Sequence, residues 1–222
     1  MTKSFVTSRE KKRTGRSILI KVAILFLLVL IGSAGCMFAV SGTWPSVVAI
    51  GSDSMAPNLN VGDMVFIVQE DRGGEIITGE EARAANTTTL GGYGDIIVYT
   101  PNGNTQTTAF IHRVVSWINQ TDAITKYGLD PTQTTDGYLT KGDNNEAEDQ
   151  RYAFTGVGRV YPVKEEWILG KALFRVPLIG YFLLHIWQIA ALILIALLIY
   201  EWHCRREEKR EEKEMREELT KN

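Results

Sequence analysis

The run Ala109-Phe-Ile-His-Arg-Val-Val-Ser-Trp-Ile118 is β-branched and aromatic over ten positions, and it carries a histidine at its centre. Three shorter runs share that composition: Met64-Val-Phe-Ile-Val68, Asp95-Ile-Ile-Val-Tyr99 and Gly156-Val-Gly-Arg-Val-Tyr161. Each is bounded by Gly, Asp, Asn or Pro, so each reads as a strand. Between them, Gly73 to Gly94 and Asn119 to Gly137 are rich in Gly, Thr, Asn and Asp, the composition of surface loops. No helix-period stretch between residues 41 and 176 is long enough to compete, and the expected fold there is a compact antiparallel β domain.

On either side of that domain the composition changes. Of the 222 residues, 45% are hydrophobic and 23% charged, values that would suit one soluble domain if the apolar residues were evenly spread. Instead they concentrate in Ile18 to Val40, where only Lys21 is charged, and in Leu178 to Tyr200, where His185 is the one titratable side chain with a pKa near neutrality. A helix of about 20 residues spans a hydrocarbon core of about 30 Å, so both runs read as transmembrane helices. The first also follows a basic stretch, as a cleavable signal peptide does, but it exceeds the roughly 7–15 residues of a signal core and reads better as an anchor.

Flanking charge sets the orientation. Lys3, Arg9, Lys11, Lys12, Arg13 and Arg16 precede the first run, opposed only by Glu10, whereas no Lys or Arg follows it until Arg72. Positive flanks stay cytoplasmic, and two crossings return the C-terminus to the same side. Lys171 and Arg175, just before the second run, oppose this assignment weakly. The expected organisation is a basic cytoplasmic N-terminus over 1–16, a transmembrane helix over 17–40, an extracytoplasmic β domain over 41–176, a second transmembrane helix over 177–200 and a charged cytoplasmic helical tail over 201–222. The tail's Glu and Lys/Arg recur at three- and four-residue spacing, which supports a solvated helix and says little about function.

The domain between the two runs is acidic, with 10 Lys/Arg against 17 Asp/Glu, which argues against nucleic acid as a partner. It holds no cysteine, since Cys36 lies in the first apolar run and Cys204 beyond the second, so it has neither an internal disulfide nor a Cys-rich metal site. Asn86-Thr87-Thr88 and Asn119-Gln120-Thr121 fit the N-glycosylation acceptor pattern.

Three segments carry chemistry. In Gly51-Ser-Asp-Ser-Met-Ala-Pro57, small residues lead to Ser54 and Pro57 ends any regular element soon after, an arrangement that can expose a hydroxyl and leave a backbone N–H free for an oxyanion. A plain Ser/Asp/Pro turn has the same composition. His112 is the only histidine of the domain, so a Ser/His mechanism there must use it as base; taken alone it reads better as an ordinary half-buried strand residue, and the neighbouring segments reverse that preference. Lys141-Gly-Asp-Asn-Asn-Glu-Ala-Glu-Asp149 packs four carboxylates into seven residues, Asp143 to Asp149. One of them could orient the histidine. Asp-Asn-Asn is also turn chemistry, and an acidic loop can bind calcium, although this spacing is not that of an EF-hand.

Together these segments resemble the type I signal peptidases, in the histidine-bearing branch found in archaea, the endoplasmic reticulum and some Gram-positive bacteria. The resemblance covers Ser52 to Asp63, Gly94 to Tyr99, Phe110 to Val115, Lys141 to Asp149 and Gly170 to Gly180. It implies a signal-peptidase-type antiparallel β fold on two transmembrane helices, with the catalytic domain outside the cell membrane and both termini cytoplasmic. The implied activity is that of a serine endopeptidase that removes signal peptides from exported preproteins at sites with small residues one and three before the cut. The resemblance makes Ser54 the acyl-forming nucleophile and His112 the general base. It puts Asp143 and Asp149 in the family's acidic box, with Asp149 the orienting carboxylate and Asp143 in support, and assigns the oxyanion position to the Ser54 N–H and the Ser52 hydroxyl. The family's other main branch carries lysine where this chain has His112, and Asp53 stands where many members have glycine, a departure that bears on the loop's geometry. No metal or organic cofactor is implied. Expected partners are signal-peptide-bearing preproteins, membrane lipid and the protein translocation machinery. The rival classes are a membrane-tethered binding module, a non-catalytic subunit of a translocation complex and a serine hydrolase with another substrate.

Overall fold

A computed structural model describes residues 21, 24, 25, 27–29 and 31–221. The basic N-terminus expected over 1–16 lies outside the described residues, as does part of the apolar run expected to span over 17–40; its described portion is helical over Leu27–Ser41.

Six strands form one antiparallel sheet that curls into a half-barrel: β1 (Val47–Ala49), β2 (Met64–Val68), β3 (Ile96–Tyr99), β4 (Phe110–Ile118), β5 (Gly137–Lys141) and β8 (Ile168–Val176). Their order is β1-β2-β8-β3-β4-β5, and β6 (Ala153–Phe154) with β7 (Gly158–Arg159) makes a separate hairpin. The C-terminal β8 thus runs through the middle, pairing Met64↔Val176 on one side and Val98↔Gly170 on the other. β3 is buried on both faces, which explains its unbroken Ile-Ile-Val-Tyr composition. Ile96 and Val98 enter a core with Ile50, Met55, Leu59, Val65, Ile67 and Ala172, whereas Ile97 and Tyr99 enter a second core with Ile76, Val114, Val160 and Val163.

The stretches expected as loops contain short helices. α1 (Glu70–Gly73) precedes them, α2 (Gly79–Ala84) lies in the first and α3 (Gln120–Tyr127) in the second. α2 and α3 start at side-chain caps. Thr78 and Glu81 form a reciprocal capping box, Asn119 accepts from the Asp122 N–H at 2.9 Å, and α3 ends on Gly128 in the left-handed conformation. The strand expected over 156–161 is only the two-residue β7; Gly156 and Gly158 both have positive φ and turn the chain there.

After β8 the chain does not enter one straight helix. Leu178 has a positive φ of 65°, α4 covers only Gly180–Leu184, and α5 begins at Ile186 and runs to Lys221 through the charged tail. Within α5, Ile186–Glu207 has 22 residues, a mean hydropathy of 1.7 and no burial, so it is long and apolar enough to cross a bilayer. Among the described residues it is the only such span, one where two were expected; the described part of the first helix is shorter.

Candidate active site

Ser54 lies in the loop between β1 and β2. That loop is pinned by apolar side chains rather than by strand pairing: Ile50, Met55 and Leu59 are almost wholly buried, and the N–H of Leu59 donates to the Met55 carbonyl at 2.9 Å. With its neighbours anchored inward, Ser52 and Ser54 face outward, their Oγ atoms 3.2 Å apart. A second loop braces the nucleophile from behind. The Asn144 N–H donates to the Ser54 carbonyl at 2.8 Å, and a Cβ on Gly142 would fall 2.6 Å from that same oxygen, so the close approach requires glycine.

His112 sits mid-strand in β4, opposite Ile97 of β3, and is 5% exposed. Its Nε2 lies 3.2 Å from Ser54 Oγ and its Nδ1 lies 2.6 Å from Asp149 Oδ2. Asp149 opens a single 3-10 turn, Asp149–Arg151, and is fully buried. The neighbouring Gln150, also fully buried, holds that turn in place by accepting from the Thr140 N–H at 3.3 Å. The structure therefore brings Ser54, His112 and Asp149 into one line of contacts, on segments 58 and 37 residues apart in sequence.

Two side chains unremarked in the sequence complete the Asp149 environment. Tyr99 donates its hydroxyl to Asp149 Oδ2 at 2.9 Å, and Thr140 donates to the same oxygen at 2.7 Å. Both come from strands flanking or following His112, and the pairings Tyr99↔Phe110 and Val114↔Thr140 put them on its face of the sheet. Burial, and next the charge of Asp149, push the Tyr99 phenol well above its usual range, so it stays a neutral donor. Oδ1 of Asp149 is buried without a partner. The carboxylate is thus aimed through one oxygen at the imidazole.

Asp143 goes elsewhere. It binds Arg113, the residue after His112, through two bonds of 2.7 Å, and accepts from Asn58 Nδ2 at 2.8 Å. Arg113 also donates to the carbonyls of Thr89, Leu90 and Gly94. Asp143 thereby ties the Gly142 turn, the β1–β2 loop and β4 together without touching the histidine. Arg113 is legible in hindsight as a cation beside the only histidine of the domain; Tyr99 reads as a core aromatic, and nothing in its sequence neighbours distinguishes it.

The Ser54 N–H has no hydrogen-bond partner among the described residues, and the Ser52 hydroxyl stands beside it. A proton acceptor on a serine hydroxyl, a carboxylate on the far side of the imidazole, a free N–H and a neighbouring hydroxyl beside the oxygen make an arrangement suited to acyl transfer. Among the described residues no group of three or more His, Cys, Asp or Glu side chains could hold a metal ion. A groove of about 530 Å³ is lined by Arg83, Tyr93, Arg113, Lys141, Asp143 and Glu146 among others, and by none of Ser54, His112 and Asp149. No protein-family model matches this chain, and no curated protein matches it.

Proposed function

We propose that this chain is a membrane-anchored serine endopeptidase of the type I signal-peptidase kind, in the histidine-bearing branch, and that it removes N-terminal signal peptides from exported preproteins. The observation that carries the reading is the continuous contact from Asp149 through His112 to Ser54, at 2.6 and 3.2 Å. Both distances are within the reach that proton transfer requires.

The chemistry follows from the geometry. His112 Nε2 takes the proton of Ser54 Oγ as that oxygen attacks the scissile carbonyl carbon. The negative charge that develops on the carbonyl oxygen is met by the Ser54 N–H and the Ser52 hydroxyl. The protonated imidazole, held by Asp149, then gives its proton to the leaving amine, which departs as the new N-terminus of the mature protein. Water, deprotonated by the same nitrogen, attacks the acyl-serine; Ser54 Oγ leaves, takes that proton back from the imidazole, and the signal peptide is released as its carboxylate.

Substrate class is supported by position. β1 is an edge strand three residues long that leads into the Ser54 loop, and an extended peptide can add to such an edge. Val48, Ala109 and Ile111 are partly buried against the core that holds Ile50 and Met55. These side chains would line the shallow pockets that small residues before the cut require. The apolar span Ile186–Glu207, with the first apolar run as a second anchor, would hold the domain outside the membrane with both termini in the cytoplasm, next to emerging preproteins.

The test is cleavage of a preprotein carrying an Ala-x-Ala site in liposomes by the purified chain and by Ser54→Ala. Trimming at that site by the intact chain alone is the expected result. Inertness of both, with the fold intact, would hand the protein to the binding-module class.

A further inference from the structure

The loop that carries Ser54 rests on more than the core. Its base is closed by two backbone bonds, Ile50 N–H to the Asp63 carbonyl and Gly62 N–H to the Ile50 carbonyl, both 2.9 Å. Asp63, 3% exposed, accepts from the Asn60 N–H and from Arg175 Nη1, each at 2.9 Å. Against this base lies α4, the five-residue helix from which the bilayer-length helix springs.

The approach is close at the Gly62 end of the loop and of ordinary van der Waals spacing at the Gly51 end. A Cβ on Gly62, whose φ is +86°, would fall 2.1 Å from Cε2 of Tyr181, so the ring occupies the place of a side chain. A Cβ on Gly180 would fall 2.4 Å from the Asp63 carbonyl oxygen. At the other end, Leu184 Cδ2 stands 3.9 Å from where a Cβ on Gly51 would be, three residues before Ser54. Tyr181 and Leu184 are one helical turn apart on α4 and each leaves a large part of its side chain exposed, as do Phe182 and, just before the helix, Ile179. Only His185 separates α4 from α5. Its N–H donates to the Tyr181 carbonyl at 3.0 Å, its own carbonyl accepts from Ile189 at 3.0 Å, and its ring stacks on Tyr181 at an interplanar angle of 7°. Hydrogen bonds thus carry the backbone across the junction.

We infer that the root of the C-terminal apolar helix is a positioning element for the nucleophile: Tyr181 and Leu184 clamp the two ends of the Ser54 loop and so set the distance from Ser54 Oγ to His112 Nε2. The inference rests on the hydrolytic reading of that pair. His112 is fixed by its pairing with Ile97 of β3 and by the pairing of the next residue, Arg113, with Lys141 of β5, so the registration of the pair depends on the loop. The separation of 3.2 Å is already at the long end of productive contact, and outward relaxation of the loop breaks it. A displacement near 1 Å costs about 100-fold in rate.

The experiment uses the full chain in liposomes, comparing wild type, Tyr181→Ala, Tyr181→Phe and Leu184→Ala by amide hydrogen exchange and by peptide cleavage. In Tyr181→Ala, exchange within residues 51–62 is expected to quicken about tenfold while β3 and β4 keep their protection. Its kcat is expected to fall about 10- to 100-fold with KM within about twofold. Tyr181→Phe, which keeps the ring over Gly62, restores both. Leu184→Ala gives the same pattern from the Gly51 end and serves if Tyr181→Ala does not fold. Unchanged exchange in the loop, a loss that the Phe variant does not rescue, or an effect carried wholly by KM overturns the inference. If wild type cleaves nothing while loop exchange still responds to Tyr181→Ala, the clamp stands and the hydrolytic reading fails.

Discussion

Asp149 and Asp143 stand six residues apart in one acidic stretch, yet their surroundings give them different work. Asp149 is sealed from solvent and holds the imidazole at 2.6 Å, whereas Asp143 neutralises Arg113. Asp149→Asn, which disturbs the tautomer of His112, should lower kcat by about 10⁴, the loss seen in the chymotrypsin template. Asp143→Asn keeps the imidazole's partner, so it should cost far less in kcat and show mainly as lost stability; single-turnover cleavage and denaturant unfolding of the two variants check the ranking. Tyr99→Phe removes a donor from the buried carboxylate, with an expected loss of about 1.5–3 kcal/mol in unfolding free energy. It also changes the response to alkali. The folded phenol, raised chiefly by burial, keeps a proton that the unfolded chain releases near pH 10. The stability linked to it is therefore present below about pH 10 and is lost as pH climbs toward the folded value. Unfolding curves between about pH 9 and 11 should fall more steeply for wild type than for Tyr99→Phe.

Among the elements, β8 has the largest structural part, because it joins the two halves of the sheet and then feeds the apolar helix. Lys171 on β8 is 7% exposed and pairs with Asp95 at 3.0 Å, while its ammonium also donates to the carbonyls of Gly74 and Glu75. Asp95, 3% exposed, accepts in addition from the Ile77 N–H at 2.9 Å. Lys171→Ala would leave that carboxylate buried without its cation, a change that typically costs about 3–5 kcal/mol. Denaturant unfolding in detergent should show that loss, and the double variant with Asp95→Ala should recover part of it. Strands with long β-branched runs were legible in the sequence, β3 and β4 above all. β1 was not, since three residues with intermediate burial carry little pattern, and α2 and α3 were hidden because six and eight residues are too few for helical periodicity to outweigh their Gly, Thr and Asn.

For the whole molecule, the expected topology makes a directional prediction. With both termini cytoplasmic, protease added to sealed inverted vesicles should remove the tail beyond the apolar span and leave the β domain whole; the same protease on right-side-out vesicles should attack the domain instead. Leu194→Arg, at the centre of Ile186–Glu207, should impair insertion, at a cost of about 2.5–3.5 kcal/mol. Alkaline carbonate extraction would report that as release from the membrane fraction. Both outcomes bear on the C-terminal span, which has the length and hydropathy to cross a bilayer and has no buried residue in the folded chain.

By itself the sequence determined the antiparallel β character between the two apolar runs and singled out Ser54 and His112, because a side chain's chemistry and a strand's alternation are local properties. In the acidic stretch the family resemblance preferred Asp149 to Asp143 as the orienting carboxylate, but the residues themselves gave no ranking of the four carboxylates' contacts. Only the tertiary structure decided that Asp149 meets His112, that Asp143 meets Arg113, and that Tyr99 and Thr140 converge on the same carboxylate oxygen. It also broke the second apolar run at His185 and laid Tyr181 over Gly62. These contacts join segments separated by 9 to 119 residues, and their distances depend on sheet register and on the close approach that glycine permits. Neither is written in any single stretch of chain.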